Sequence, residues 1–148
     1  MAKKIWLLTL VLVLLPGYAC RAPSDLVRVT RVIDGDTIVI QGGHRVRYIG
    51  IDTPEIYPRL EAYGMEACQA NRELVEGKKV RLERDVSEAD KYGRLLRYIW
   101  VDDIMVNAEL VKRGLARAKA YPPDTRYQDY LAEMEAEARL TGRGTWAK

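Results

Sequence analysis

Residues 26–55, which read LVRVTRVIDGDTIVIQGGHRVRYIGIDTPE, determine the architecture of this chain. Three runs inside it, residues 26–33, 37–41 and 45–51, are rich in Val, Ile and Tyr and partly alternate between apolar and polar positions. That alternation is typical of half-buried β-strands. Asp34-Gly35-Asp36 and Gly42-Gly43 separate the runs at hairpin spacing, so the stretch predicts an antiparallel meander of three strands.

The residues after this stretch predict two more strands and a first helix. Residues 78–84 and 95–101 again combine branched aliphatic and aromatic side chains in short runs. Between the third and fourth strands, residues 61–76 place small or apolar side chains at helical spacing and stop before Gly77.

Two further helices are predicted toward the C-terminus. Asn107 can cap a short helix that ends before Gly114. A longer helix would begin at a capping box formed by Thr125 and Gln128 and end at Gly142. Five strands with helices inserted late predict an α+β, mainly β fold, namely a five-stranded antiparallel barrel of the oligonucleotide-binding type with about three helices.

The first 19 residues have the layout of a secretory signal peptide. Lys3 and Lys4 precede an almost wholly apolar run, residues 5–15, which a small-residue exit follows. A membrane-spanning helix needs about 20 apolar residues, so this run is too short for one. We therefore expect residues 1–19 to be a signal peptide, residues 20–148 to form one domain, and the protein to be exported as a secreted or periplasmic protein.

Cys20 follows the expected cleavage point, and two interpretations of it stay open. Acylation of Cys20 would make the protein a lipoprotein anchored to a membrane, although the three residues before Cys20 fit that pattern imperfectly. A disulfide with Cys68, the other cysteine of the chain, is permitted in an oxidising compartment.

The charge of the chain excludes nucleic-acid binding by bulk electrostatics. The formal net charge is +3, and loss of Lys3 and Lys4 with the leader lowers it to +1. Any affinity for phosphate must therefore come from local placement of basic side chains.

Because no long apolar stripe is left unassigned, we expect a monomer.

Two loops at strand ends carry four carboxylates. They are Asp34-Gly35-Asp36-Thr37 and Ile51-Asp52-Thr53-Pro54-Glu55. Hard cations such as calcium take several oxygen ligands, and two acidic loops from adjacent strands could supply them. Each segment alone also fits a structural role, because Asp-Gly is a common turn and Thr-Pro-Glu is a common helix start.

Two arginines add the means to bind phosphate. Arg47 lies on the same predicted strand as Asp52, and Arg94 lies at the entry to the last strand. A guanidinium can hold a phosphate through two parallel hydrogen bonds and can stabilise the charge of a five-coordinate phosphorus transition state. The alternative for each arginine is a solvated partner of an acid. His44 is the single histidine of the chain and lies in a predicted turn. The chain therefore cannot supply the histidine ligands or histidine base of a histidine-metal phosphodiesterase, and that class is excluded.

The order of these motifs resembles that of the staphylococcal (micrococcal) nuclease family. The matching segments are residues 32–37, 47–55, 63–64, 90–94, 106–107 and 114–116. The resemblance covers most of residues 26–146. It implies a calcium-dependent endonuclease that hydrolyses DNA and RNA, prefers single-stranded or denatured substrate, and expels the 5′-oxygen to leave 3′-phosphate ends.

The resemblance also implies the metal and water sites. Asp36, Asp52 and the backbone carbonyl of Thr53 would ligate calcium. Glu55 would orient or deprotonate the attacking water. Asp34 is left as a turn residue.

By the same resemblance, five residues would bind the substrate. Arg47 and Arg94 would bind the scissile phosphate, and Lys91 and Tyr92 would lie near the other phosphate of the nucleotide. The loop before the last helix is shorter than in the family, and Tyr121 is the candidate it offers for stacking on the base.

Two alternatives from other functional classes stay open. The chain could be a catalytically silent nucleic-acid-binding barrel, or a surface lipoprotein whose acidic loops bind calcium. A silent relative is expected to lack at least one of the acids or arginines, and all are present here. The interpretation as a calcium-binding lipoprotein assigns no role to Arg47 and Arg94.

Overall fold

The structure is a computed structural model that describes residues 26–148. The predicted signal peptide over residues 1–19 and the predicted modifications of Cys20 lie outside these residues. Cys68, the other candidate for the disulfide, has a buried side chain. None of the helices that residues 26–148 form is long and apolar enough to cross a bilayer.

The first stretch forms the predicted antiparallel meander. Strand β1 (Leu26–Val32) pairs with β2 (Thr37–Ile40), and β2 pairs with β3 (Arg45–Tyr48). Six side chains of the three strands point into one core, where they are almost fully buried: Val29, Val32, Ile38, Ile40, Val46 and Tyr48.

The predicted third strand, residues 45–51, is broken into two. Strand β4 (Ile51–Asp52) follows β3 after Gly50, whose φ of 77° lies in the left-handed region that favours glycine. A Cβ at Gly50 would lie 2.6 Å from Leu131 Cδ1. The turn at Gly50 gives Asp52 a different direction from β3, which the apolar pattern alone did not reveal.

Two later strands close the barrel. Strand β5 (Lys79–Glu83) pairs antiparallel with β1, and β6 (Leu95–Val101) pairs antiparallel with β5. Strand β6 also pairs with β3, in parallel, which closes a five-stranded mixed barrel. The predicted barrel is therefore confirmed, and its fully antiparallel arrangement is wrong at this one pairing. A parallel pairing needs a long crossover connection, which the chain between β3 and β6 supplies.

Two short strands escape sequence-based prediction because each has only two residues. Strand β7 (Ile104–Met105) continues the sheet beyond β6, and β8 (Arg117–Ala118) pairs antiparallel with β4. In that last pairing Arg117 stands opposite Asp52. Strand β8 therefore brings a segment from late in the chain next to the second acidic loop.

Residues 26–148 contain three α-helices and one short 3₁₀ turn. The helices are α1 (Gly64–Val75), α2 (Val106–Lys112) and α3 (Gln128–Leu140), and the 3₁₀ turn is Gly144–Trp146. Helix α1 begins three residues later than predicted, because Tyr63 adopts a left-handed φ of 67°.

Both helix N-terminal caps predicted from sequence are wrong. Asn107 lies inside α2, where its side chain accepts a hydrogen bond from Ile99 N (2.9 Å) and donates one to Ile49 O (2.8 Å). It cross-links the barrel instead of capping a helix. At α3 the cap residue is Tyr127 without a side-chain hydrogen bond, and Gln128 bonds the Thr125 carbonyl through its backbone N–H.

Candidate active site

The first acidic loop is a tight turn pressed against the second. Asp34 Oδ1 accepts a hydrogen bond from Asp36 N at 3.0 Å, which is the role of a turn residue expected for Asp34. A Cβ at Gly35 would lie 2.7–2.8 Å from three side-chain atoms of Thr53. Only glycine at position 35 lets the two loops approach so closely.

The carboxylate of Asp36 is buried between these loops. Its Oδ2 accepts hydrogen bonds from Thr53 N and Thr53 Oγ1, both at 3.0 Å, and its Oδ1 accepts one from Thr37 Oγ1 at 3.2 Å. Burial raises the pKa of Asp36 to about 6, against the opposing effect of the Arg47 guanidinium. Asp36 is therefore held in a fixed orientation, and the positive charge of Arg47 does not fully compensate the cost of burying its carboxylate.

Arg47 joins the two acids that are expected to bind metal. Its Nη2 lies 3.1 Å from Asp36 Oδ2 and 3.1 Å from Asp52 Oδ1. Its Nη1 donates to the carbonyls of Tyr48 (2.8 Å) and Ile51 (3.0 Å), which fixes the guanidinium at the break between β3 and β4. Two carboxylates from separate loops thus converge on a single cation.

Lys119 supplies a second cation at the same place. Its Nζ donates to Asp52 Oδ2 at 2.9 Å and lies 5.3 Å from the centre of the Tyr121 ring. The pairing of β8 with β4 brings Lys119 here, since Lys119 N donates to Gly50 O just beyond the end of β8. Sequence reasoning missed Lys119, because no local pattern relates it to an acid 67 residues away.

The oxygen atoms around Arg47 suit a hard cation. Asp36 and Asp52 each direct a carboxylate oxygen to one point, and Thr53, the third expected ligand, adjoins both because it follows Asp52 and bonds Asp36. Among residues 26–148, no group of three or more His, Cys, Asp or Glu side chains is arranged as a metal cluster. Calcium accepts such mixed sets of carboxylate, carbonyl and water oxygens.

Glu55 is held through its backbone while its side chain stays exposed. Its N–H donates to Glu61 Oε2 and its carbonyl accepts from Glu61 N, both at 2.9 Å. A Cβ at Gly64 would lie 2.6 Å from Glu55 O, so the start of α1 packs directly on this loop. Partial desolvation, with the charges of Asp34 and Asp52, raises the pKa of Glu55.

Asp90 positions Arg94. Its Oδ2 accepts from Arg94 Nε at 2.7 Å and lies 2.7 Å from Nη2, while its Oδ1 accepts from the backbone N–H groups of Tyr92 and Arg94. Burial alone would raise the pKa of Asp90, but these hydrogen bonds hold it below the ordinary value. Asp90 had no predicted role beyond its place in the motif.

The five expected substrate-binding residues line a single cavity of about 260 Å³: Arg47, Lys91, Tyr92, Arg94 and Tyr121. The Tyr92 ring is largely exposed and lies 5.1 Å from Lys91 Nζ and 5.5 Å from Arg94 Cζ. The cavity therefore combines cationic groups with aromatic faces, which is the chemistry that binds a nucleotide. His44 is exposed in its turn, as expected for a residue without a role.

A family model and several known nucleases are similar to this chain. A family model described as "Staphylococcal nuclease homologue" matches residues 45–148. The chain is 43% identical over 134 residues to the thermonuclease of Staphylococcus intermedius, which covers 86% of this chain and 79% of that protein. It is 40% identical over 132 residues to the thermonuclease of Staphylococcus hyicus, covering 85% and 78%. Endonuclease YncB of Bacillus subtilis (strain 168) is 45% identical over 135 residues, covering 84% and 64%.

Proposed function

Because this chain belongs to the staphylococcal nuclease family, we propose that it is an exported, calcium-dependent endonuclease of DNA and RNA. It prefers single-stranded or denatured substrate and expels the 5′-oxygen, so that its products end in 3′-phosphates. The observation that carries the proposal is the convergence of Asp36 and Asp52 on Arg47, at the edge of the cavity that also holds Arg94.

The proposed calcium ligands are Asp36, Asp52 and the Thr53 carbonyl. The burial of Asp36, which raises its pKa, would favour calcium binding, because a buried carboxylate is stabilised by additional positive charge. Bound there, calcium would act as a Lewis acid that polarises a phosphoryl oxygen.

Arg47 and Arg94 hold the scissile phosphate in this proposal. Each guanidinium already lies against a carboxylate, Arg47 on Asp36 and Asp52, and Arg94 on Asp90. These contacts orient the two side chains before substrate arrives, which lowers the entropic cost of binding phosphate. In the transition state the two cations stabilise the additional negative charge on the phosphoryl oxygens.

Glu55 receives the proton of the attacking water, or orients that water, in this proposal. Its backbone is fixed by Glu61, while its side chain is accessible to water. Its raised pKa makes the carboxylate a stronger base than an ordinary glutamate.

The test uses the chain without its predicted leader, residues 21–148. We expect denatured DNA to be cut in the presence of calcium and to stay intact when a chelator replaces it. The new 5′ ends should accept phosphate from a polynucleotide kinase without prior phosphatase treatment, as hydroxyl ends do. Binding of DNA without calcium-dependent cleavage would instead support the catalytically silent barrel.

A further inference from the structure

A second cavity, of about 710 Å³, adjoins the proposed site. It shares no lining residue with the 260 Å³ cavity, yet its wall includes Asp52 and Thr53. Apart from Asp52 and Thr53, the residues that line this cavity have no role in the proposed reaction. An endonuclease must accommodate nucleic acid on both sides of the bond that it cuts, and the 260 Å³ cavity takes one side.

The two cavities meet at Asp52. Arg47 lines the 260 Å³ cavity, and its Nη2 lies 3.1 Å from Oδ1 of Asp52, which lines the 710 Å³ cavity. One segment of backbone also serves both, because Arg117 lines the larger cavity and Tyr121 the smaller. Between them Lys119 bonds Asp52. The two cavities are therefore adjacent, with Asp52 at their boundary.

The larger cavity carries two arginines suited to phosphate. Arg59 and Arg117 are exposed and line it, and among residues 26–148 neither forms an ion pair with a carboxylate. The Arg117 guanidinium lies 5.2 Å from the Trp146 ring, which supports the side chain without neutralising it. Leu60 is 60% exposed beside them and offers apolar surface to a base or sugar.

We propose that the 710 Å³ cavity binds the strand on the 5′ side of the scissile phosphate, with Arg59 and Arg117 contacting the phosphates of that strand. The inference rests on the proposed nuclease function, in which the nucleotide whose 5′-oxygen leaves phosphorus, and which keeps that oxygen as a hydroxyl, lies beside Lys91 and Tyr92. The part of the substrate that keeps the 3′-phosphate then enters the larger cavity.

The test uses oligodeoxynucleotides with one cleavable linkage, all other linkages being resistant phosphorothioates. Substrates carry one or five nucleotides on the 5′ side of the cleavable bond. The longer 5′ side should lower KM for the unmodified protein. In the Arg59→Ala/Arg117→Ala variant this gain should be lost, and the slope of log KM against log salt should become shallower by about 1.4. This change corresponds to the loss of two phosphate contacts, each of which contributes about 0.7 to the slope on a single strand.

Matched controls separate charge from folding. Arg45→Ala removes an exposed arginine that lines neither cavity, and it should keep the gain. Arg117→Lys, which restores the charge, should recover part of the gain in the Arg59→Ala background. Lengthening the 3′ side should still lower KM in the double variant. A double variant that keeps the gain and the salt slope of the unmodified protein would overturn the proposal.

Equilibrium binding distinguishes failure of the subsite from failure of the proposed function. Fluorescence anisotropy of a labelled oligothymidylate in the presence of chelator needs no turnover. If the protein cuts nothing but the double variant binds this oligonucleotide more weakly than Arg45→Ala, the subsite stands and the nuclease proposal fails. Equal binding by both variants, or none by the unmodified protein, overturns the subsite.

Discussion

Two groups of carboxylates in this barrel have opposite electrostatics. In the acidic loops, the pKa of Asp36 is raised to about 6 and the pKa of Glu55 is also raised. Near the start of α3, the pKa values of Glu83 and Asp124 are lowered. Burial acts on all four in the same direction, so the difference comes from their partners.

The partners of Asp124 and Glu83 are several hydrogen-bond donors at short range. Asp124 Oδ1 accepts from Val86 N at 3.0 Å and from Ser87 N at 2.7 Å. Glu83 accepts from four side chains, those of Arg81, Trp100, Arg126 and Tyr127. These donors outweigh the effect of burial, and each carboxylate helps to hold the fold together.

In the acidic loops, by contrast, the cations are few and shared. Arg47 serves both Asp36 and Asp52, and Lys119, about half exposed, serves only Asp52. Desolvation therefore outweighs these cations, and the pKa values of Asp36 and Glu55 stay raised. Carboxylates of one barrel can therefore stabilise the fold or be left available to a ligand, depending on their donors. Four variants test this distinction.

The largest expected effect is that of Glu55→Gln. Loss of a positioned base should lower turnover by about 10²–10⁴-fold. Calcium affinity, measured by calorimetry, should change little, because Glu55 is expected to act through water. Glu66→Gln, an exposed acid on α1, is the matched control and should keep its turnover. Joint loss of calcium binding and activity would place Glu55 among the ligands instead.

Asp36→Asn should stabilise the calcium-free protein. A folded pKa near 6 against an ordinary 3.8 means that the wild type loses stability as the pH rises through this window. The variant cannot ionise, so its advantage should be absent below pH 3.8 and complete above pH 6, on the order of 1–3 kcal/mol. Urea denaturation with chelator, from pH 3 upward, measures this free energy of unfolding. Calcium binding should be lost in the same variant.

Asp124→Ala should have the opposite sign. The two N–H groups of Val86 and Ser87 lose a charged acceptor, which should cost about 1–3 kcal/mol in the free energy of unfolding. Because the folded pKa of Asp124 lies below its ordinary 3.8, this stabilisation exists above pH 3.8 and is lost as the pH falls below it. The variant and the wild type should therefore converge in acid. Asp103→Ala, at an exposed turn, is the control and should match the wild type.

The sequence was informative wherever a local pattern or an ordered motif carried the signal. The five barrel strands follow from apolar alternation, and the acidic loops and Arg47 were located by their motifs. Two of the errors, at Asn107 and Lys119, involve partners distant along the chain. Asn107 is a residue type that caps helices, yet it bonds Ile49 and Ile99 across the barrel. The local sequence around Asn107 does not indicate which backbone donors and acceptors of the closed barrel need a side-chain hydrogen-bond partner.

Lys119 is the same kind of omission, and its variant is the smallest test. Lys119→Met removes the cation that bonds Asp52 Oδ2 but retains a long side chain. Calcium binding to the substrate-free protein should tighten, since the ion no longer competes with the ammonium group. An exposed ion pair is worth up to about 1 kcal/mol, so the gain should be at most about fivefold. Calorimetry at low and high salt measures it, and the gain should shrink as salt screens the charge. Weaker calcium binding would mean that Lys119 orients Asp52 for the ion, and that the cation on Asp52 belongs to the site's fixed framework, as the donors to Asp124 do.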